Sequence, residues 1–471
     1  MVNLNPTTTI RTELDQFIQR EGINYSQFAQ RADLNVGTVS SVLKGNRIMA
    51  VDQLDRMTSV LSLPKGHFYE QYIQECMIET VPNWRRIKPY LYRCAELDKL
   101  HCIQQILLLI MDNLTYPALI FGVAEDFFAL GRNAAAALLY ECVATSERRQ
   151  HSERLAFCQY RMFTLRLGDN QEQNLQAALQ FEPFIDRLDE MNQLDALRDL
   201  ANIYRSLHRW DKVSKVAVEL GYKAEIQLRL HHQTERRRRE PKKKPSRPLF
   251  SYWALSNLFQ ASVCDANGDY EQALTFNYAY ADLSWVKEKD DETLHWVNQF
   301  KEWGRANIYV SKLMIGDDSG LADYVTYIKQ NKNETLTGLL NILKAANIFN
   351  MDVAEILEQF KLEINSYIYQ KDQQAIGVYS KQVNAERVVR LLYEMAYYYL
   401  KREYYSSGFN YLLDFMSKSV ILNKEALILK CVKLFERFRE FASSELQEKY
   451  QNLLNEEDED EKEISIATNF V

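Results

Sequence analysis

Ser40, Ser41 and Lys44 fall on one side of a helix, with Gly37 one turn earlier. Two hydroxyls and an ammonium on a narrow face can exchange hydrogen bonds with base edges or phosphates, and nothing in the set activates a nucleophile. Other chemistry-bearing groups are sparse. Cys94, His101 and Cys102 lack a second ligand pair at zinc spacing, and His231 and His232, being adjacent, point different ways on a helix. The chain holds no glycine-rich phosphate loop, no dinucleotide fingerprint and no zinc-protease or serine-hydrolase motif. Its tyrosine runs, Tyr397-Tyr398-Tyr399 and Tyr404-Tyr405, fit packing between helices better than base stacking. This is the chemistry of a binding protein rather than an enzyme, with no catalytic residue, metal or cofactor expected.

The elements that must position the Gly37 to Lys44 face begin with residues 8–20, an amphipathic helix carrying Ile10, Leu14, Phe17 and Ile18 on one side. From Phe28 to Arg47 the pattern predicts two short helices around a tight turn. Ala29 is small where they cross, Leu34 plugs the turn and Asn35 caps the second helix; Val39, Val42 and Leu43 form its buried stripe and Gly45 ends it. Two further helices run through Leu54, Met57 and Leu61, then Phe68, Tyr72 and Ile73.

On these residues the stretch 1–72 resembles the Cro/C1-type helix-turn-helix family. It departs at the turn, where Asp33 stands in the position usually held by glycine, and at Met49-Ala50, where Ser or Pro often precedes the fourth helix. Aspartate tolerates the left-handed conformation that the turn needs. The resemblance implies a five-helix DNA-binding domain whose second turn helix enters the major groove. Gly37, Ser40, Ser41 and Lys44 would then meet the bases with Val36 and Thr38 flanking them, and Tyr25, Asn46 and Arg47 would hold phosphates. This face has no Arg, Gln or Asn for bidentate base contacts, so useful specificity calls for a homodimer on two half-sites of a pseudo-palindromic operator in double-stranded DNA.

The rest of the chain reads as all-α. Its 471 residues include only 15 Gly and 9 Pro, too few turn-formers for a strand-rich fold, and 46% of them are apolar, enough for a large core. Over 89–455, helix-length apolar stretches alternate with short polar turns, and five turns share a frame. Gly131 with Ala136 and Tyr140, Gly168-Asp169, His208-Arg209-Trp210 after Tyr204, Gly268-Asp269-Tyr270, and Arg402-Glu403-Tyr404 after Tyr398 hold equivalent places. They look like degenerate tetratricopeptide repeats in an α-solenoid, closed by the amphipathic run Lys424 to Leu454; a helical bundle without true repeats stays open. Residues 73–88 make a linker broken at Pro82. The basic block Arg236 to Arg247, with Pro241 and Pro245, makes an exposed loop, and 456–471 an acidic tail. Seven scattered cysteines without a C-x-x-C pair, no apolar run of about 20 residues and no signal-like features from Met1 to Ile10 point to a cytoplasmic protein away from membranes.

A Cro/C1-type reader followed by such an array resembles the RRNPP family of cytosolic peptide-pheromone receptors of Gram-positive bacteria. That resemblance implies a quorum-sensing transcriptional regulator in which a short signalling peptide, bound in the concave groove of the array, changes how two readers sit on DNA. Asn202 and Arg205 would line the groove, as would Asn298 and Arg305, which share one side of a single helix. Two other readings stay open: an interaction scaffold or response-regulator-binding protein, and a DNA-binding repressor that senses nothing.

Overall fold

The computed structural model describes residues 9–79, 82–111, 113, 115–148, 152–234, 244–370, 381–421 and 425–455. It is all-α, 80% helical, and contains no strand among the described residues. Among the described residues no helix is long and apolar enough to cross a membrane. The chain divides into two compact units, Met1–Ala196 and Leu197–Val471. The acidic tail and 235–243, most of the basic block, lie outside the described residues.

The first unit opens with α1 (Ile10–Arg20), α2 (Tyr25–Arg31), α3 (Val36–Leu43), α4 (Val51–Val60) and α5 (Tyr69–Ile73). Side-chain caps fix where the first three start. Thr9 accepts from the N–H of Thr12, Asn24 and Gln27 form a reciprocal box, and Asn35 accepts from Gly37. Ile10, Leu14, Phe28, Ala29, Val39 and Met57 close a common core. A π-helical turn, Gln74–Ile78, continues α5 and buries Cys76 and Met77. The stretch expected as a linker thus carries this turn and the first residues of α6 (Trp84–Glu96), whose start Asn83 caps. On α4, Asp55 accepts from Arg93 Nε of α6 at 2.7 Å and from the Tyr69 hydroxyl at 2.9 Å; the Tyr90 hydroxyl of α6 donates to the Tyr69 carbonyl at 2.9 Å. These bonds and the stacked Tyr72 and Tyr90 rings seat the five N-terminal helices on α6.

Helices then pack in sequence-adjacent pairs: α6 with α7 (Leu100–Ile110), α8 (Tyr116–Ala129) with α9 (Asn133–Ser146), and α10 (Glu153–Arg166) with α11 (Gln171–Phe181). The border between the units falls inside α12 (Glu190–Ser206). The second unit continues with α13 (Trp210–Thr234), α14 (Leu249–Asn267), α15 (Tyr270–Ala281), α16 (Asp291–Met314) and α17 (Leu321–Gln330). It ends with α18 (Thr335–Phe349), α19 (Ala354–Gln359), α20 (Lys361–Tyr369), α21 (Lys381–Lys401), α22 (Tyr405–Ile421) and α23 (Glu425–Phe438). The run expected to close the stack is not continuous: a short 3-10 turn, Arg439–Phe441, separates α23 from a last helical stretch, 444–455.

One turn recurs through both units. Gly131, His208, Gly268 and Glu403 all adopt a left-handed backbone, with φ between 53° and 79°. In each case the next residue's N–H reaches back to a carbonyl five residues earlier, at 2.9 to 3.0 Å, and a helix begins one residue later. These are four of the five turns that share a sequence frame. The fifth is built differently: Gly168 has ordinary φ, and Asn174 closes the turn by accepting from its N–H at 2.9 Å and donating to its carbonyl at 2.8 Å. Asp98, between α6 and α7, makes the same left-handed turn with φ 54° and was not legible as one.

Close approach at these crossings depends on small residues. A Cβ at Gly304 of α16 would lie 2.5 Å from the Ala281 Cβ and 3.0 Å from its Cα. Gly304→Ala gains about 1 kcal/mol in helix propensity, but the overlap with backbone outweighs it. Urea denaturation is expected to show a net loss of about 1–2 kcal/mol, and a variant as stable as the parent would show that α15 and α16 part freely.

Candidate functional site

Residues 32–35 join α2 to α3. Asp33 takes the left-handed conformation with φ 51°, and the N–H of Leu34 donates to the Ala29 carbonyl at 2.8 Å. Arg56 Nη1 donates to both the carbonyl and Oδ2 of Asp33, each at 2.8 Å, so the strain that glycine would avoid is offset by a guanidinium clamp from α4. On α3, Val39, Val42 and Leu43 are buried, which turns the other side outward. Gly37 and Lys44 are exposed, Val36 is 44% exposed, and Thr38, Ser40 and Ser41 are half-buried. Gly37, Ser40, Ser41 and Lys44 therefore share one edge about 10 Å long. Asn46 and Arg47 follow, exposed, in the turn that Gly45 forms with φ 77°.

Tyr25 donates to Asp15 at 3.3 Å; burial first, then the Asp15 carboxylate, push its hydroxyl upward in pKa, so it stays a neutral donor. Arg11 escaped the sequence reading. A Cβ on Gly45 would lie 3.1 Å from Arg11 Nη1, so this guanidinium stands beside the end of α3. Only the packing of α1 on α3 brings it there.

In the second unit, Asn202 is exposed on α12, and Arg205 is half-buried with its guanidinium 5.6 Å over the Phe259 ring of α14. The Tyr280 hydroxyl of α15 feels both Arg205 and Asp265, and it accepts from Asn307 Nδ2 of α16 at 2.7 Å. The fully buried Asn277 donates to Ser311 Oγ at 2.9 Å. Asp265 Oδ1 is buried without a hydrogen bond, and burial, opposed by Lys344, pushes the carboxyl up to about 6. Asn298 is exposed on α16, and two turns on Arg305 donates from Nε to the Tyr309 hydroxyl at 3.1 Å. The two arginines named from sequence thus serve different neighbours. Asp265, Asn277 and Asn307 carried no signal in sequence, where a polar helical residue reads as solvated.

Two other clusters take definite places. Cys102 Sγ lies 3.3 Å from His101 Nε2, which reaches Glu70 at 2.8 Å. Among the described residues no group of three or more His, Cys, Asp or Glu is arranged to hold a metal. At the described end of the basic block, Arg247 lies 4.0 Å over the Trp296 ring, and Ser246 accepts from Arg198 at 2.7 Å.

Fold and sites together define an all-α protein of sequentially packed helix pairs, consistent with a helical repeat. No protein-family model matches the chain, and no curated protein matches it.

Proposed function

We propose that the chain is a transcriptional regulator that binds operator DNA as a homodimer and is controlled by a short signalling peptide held by its helical array, in the manner of the RRNPP family it resembles. The observation that carries the reading is the α2–α3 pair: a left-handed Asp33 clamped by Arg56, and behind it a short helix with one buried stripe and a small, partly exposed polar edge. In this reading α3 enters the major groove. Ser40, Ser41 and Lys44 meet base edges, and Tyr25, Asn46, Arg47 and the neighbouring Arg11 meet phosphates. For the peptide, the support is the polar set on α12, α14 and α16, above all Arg205, Asp265 and Asn307, which can partner an extended backbone. The work is binding, and no residue is assigned to catalysis.

Fluorescence anisotropy of the full chain against genomic fragments tests the reader. Combining Ser40→Ala, Ser41→Ala and Lys44→Ala is expected to weaken specific binding by at least about tenfold, and Lys44→Ala alone to reduce the salt slope by about one. Specific binding that survives the triple change would remove α3 from the role. Calorimetry with synthetic peptides of roughly five to ten residues tests the sensor, and DNA binding that no peptide alters would leave a repressor that only dimerises.

A further inference from the structure

Two carboxylates of the second unit are drawn out of water with few donors to meet them. Asp265 of α14 has its Oδ1 buried without a hydrogen bond. Glu394 of α21 is half-buried, and burial raises its pKa above the ordinary carboxylate range. Asn347 of α18, only 7% exposed, lies against Glu394. Its Nδ2 donates to the Glu394 carboxylate at 2.7 Å and to the Glu394 carbonyl at 2.9 Å, while its Oδ1 is buried and has no donor. One exposed cation serves both acids. Lys344, about a turn before Asn347 on α18, pulls both carboxyls downward in pKa, yet its Nζ donates to the Tyr270 hydroxyl at 3.2 Å and pairs with neither. Lys430 of α23, also exposed, acts on Glu394 alone. The set thus holds more buried acceptors than donors, and two desolvated charges whose cations stay in water.

We propose that Asp265 and Glu394 take the two cationic groups of a single ligand, a dibasic peptide, with Lys344 giving way to it. An ammonium or guanidinium brings the N–H groups that Asp265 Oδ1 and Asn347 Oδ1 lack, and a guanidinium at Glu394 has enough of them to serve the neighbouring amide as well. A metal ion does not suit the set. It draws its ligands to one point, and among the described residues no three His, Cys, Asp or Glu are arranged to do so. An acidic ligand would add like charge to carboxylates already short of donors. Because the acids stand on α14 and α21, with Lys344 of α18 acting on each, the two cations of the ligand must be held apart by a spacer. A peptide with an N-terminal amine and a basic side chain further along has that form.

The inference deepens the peptide half of the proposed function and rests on that half alone, since DNA does not enter it. The test is calorimetry of the full chain with amidated peptides of roughly two to six residues, in which glycines separate the N-terminal amine from a C-terminal arginine. At least one spacer length is expected to bind with Kd of about 1 mM or tighter. Citrulline in place of the arginine keeps the shape and loses the charge, and should weaken that peptide by at least about tenfold, as should acetylation of its amine. Glu394→Gln and Asp265→Asn should each weaken it by about tenfold with unchanged circular dichroism, and Lys344→Met, which removes the competing cation, should tighten it. A series in which no member reaches about 1 mM overturns the proposal. So does a citrulline peptide that binds equally well, a pair of carboxamide variants that bind as the parent does, or a loss of binding in Lys344→Met. If such a failure is accompanied by another peptide that alters DNA binding, the dibasic site falls and the peptide-controlled regulator stands. Dibasic peptides that bind as expected to a chain that ignores DNA would leave this site standing and remove the reader.

Discussion

Asp55→Ala is expected to lower the unfolding free energy of the first unit by about 2–4 kcal/mol. The Asp55 side chain is only 13% exposed, and it accepts at 2.7 Å from Arg93 and at 2.9 Å from Tyr69. Alanine strands both donors. Tyr69 is buried, so its hydroxyl bears the full cost of lost solvation, about 1–3 kcal/mol. Arg93 is partly exposed and keeps Glu96, so its share is smaller, about 1 kcal/mol. Because α4 also carries the Arg56 clamp on Asp33, loosening its seat on α6 should raise hydrogen exchange through α1–α5 before the rest of the unit. Tyr69→Phe removes a single bond and is expected to cost about 1 kcal/mol. Denaturation midpoints that place Asp55→Ala within about 0.5 kcal/mol of the parent would show that packing alone holds the five helices on α6.

What could be read from sequence followed local physics. The apolar period set the stripe of α3, Asn35 marked its start, and the left-handed backbone foreseen at Asp33 is there, because an Asp before an apolar plug suits such a turn. Gly131, His208, Gly268 and Glu403 stood out because each precedes a helix start in the same frame. Gly168 joined them by residue type, but its turn is closed by the side chain of Asn174, six residues away, and no residue-type pattern encodes that. Asp98 was missed for the opposite reason: it makes the turn while looking like an ordinary surface charge. The candidate sites divide in the same way. The edge of α3 follows from helical spacing within one segment. Arg11 beside Gly45, and Asp265 with Arg205 around Tyr280, depend on which helices become neighbours, and helical periodicity carries no information about that.

Asp265→Asn is expected to stabilise the second unit by about 2–3 kcal/mol at pH 7.5 and to leave it almost unchanged at pH 4. Burial raises the folded-state pKa of this carboxyl to about 6, from an ordinary value of about 4, against the pull of Lys344. The sign follows from proton binding. Below about pH 4 the group is neutral in both states and contributes nothing. Between about 4 and 6 the unfolded chain ionises while the folded chain holds its proton, so stability falls by up to about 1.4 kcal/mol per pH unit. Above about 6 the folded protein carries a buried carboxylate whose Oδ1 has no hydrogen bond. Asparagine keeps the shape and removes that ionisation, so the difference between parent and variant should appear across this window. A gain equal at both pH values would mean that packing and not charge is responsible. On the function proposed above, an ammonium or guanidinium of the peptide is the group that would relieve such a carboxylate. Its arrival would lower the pKa of Asp265 and release about half a proton at pH 6. Calorimetric heats of peptide binding at pH 6 should then scale with the ionisation enthalpy of the buffer in the parent and lose that dependence in Asp265→Asn. Heats independent of the buffer in the parent would place the ligand's basic groups away from Asp265 and leave its buried charge as a cost the fold carries alone.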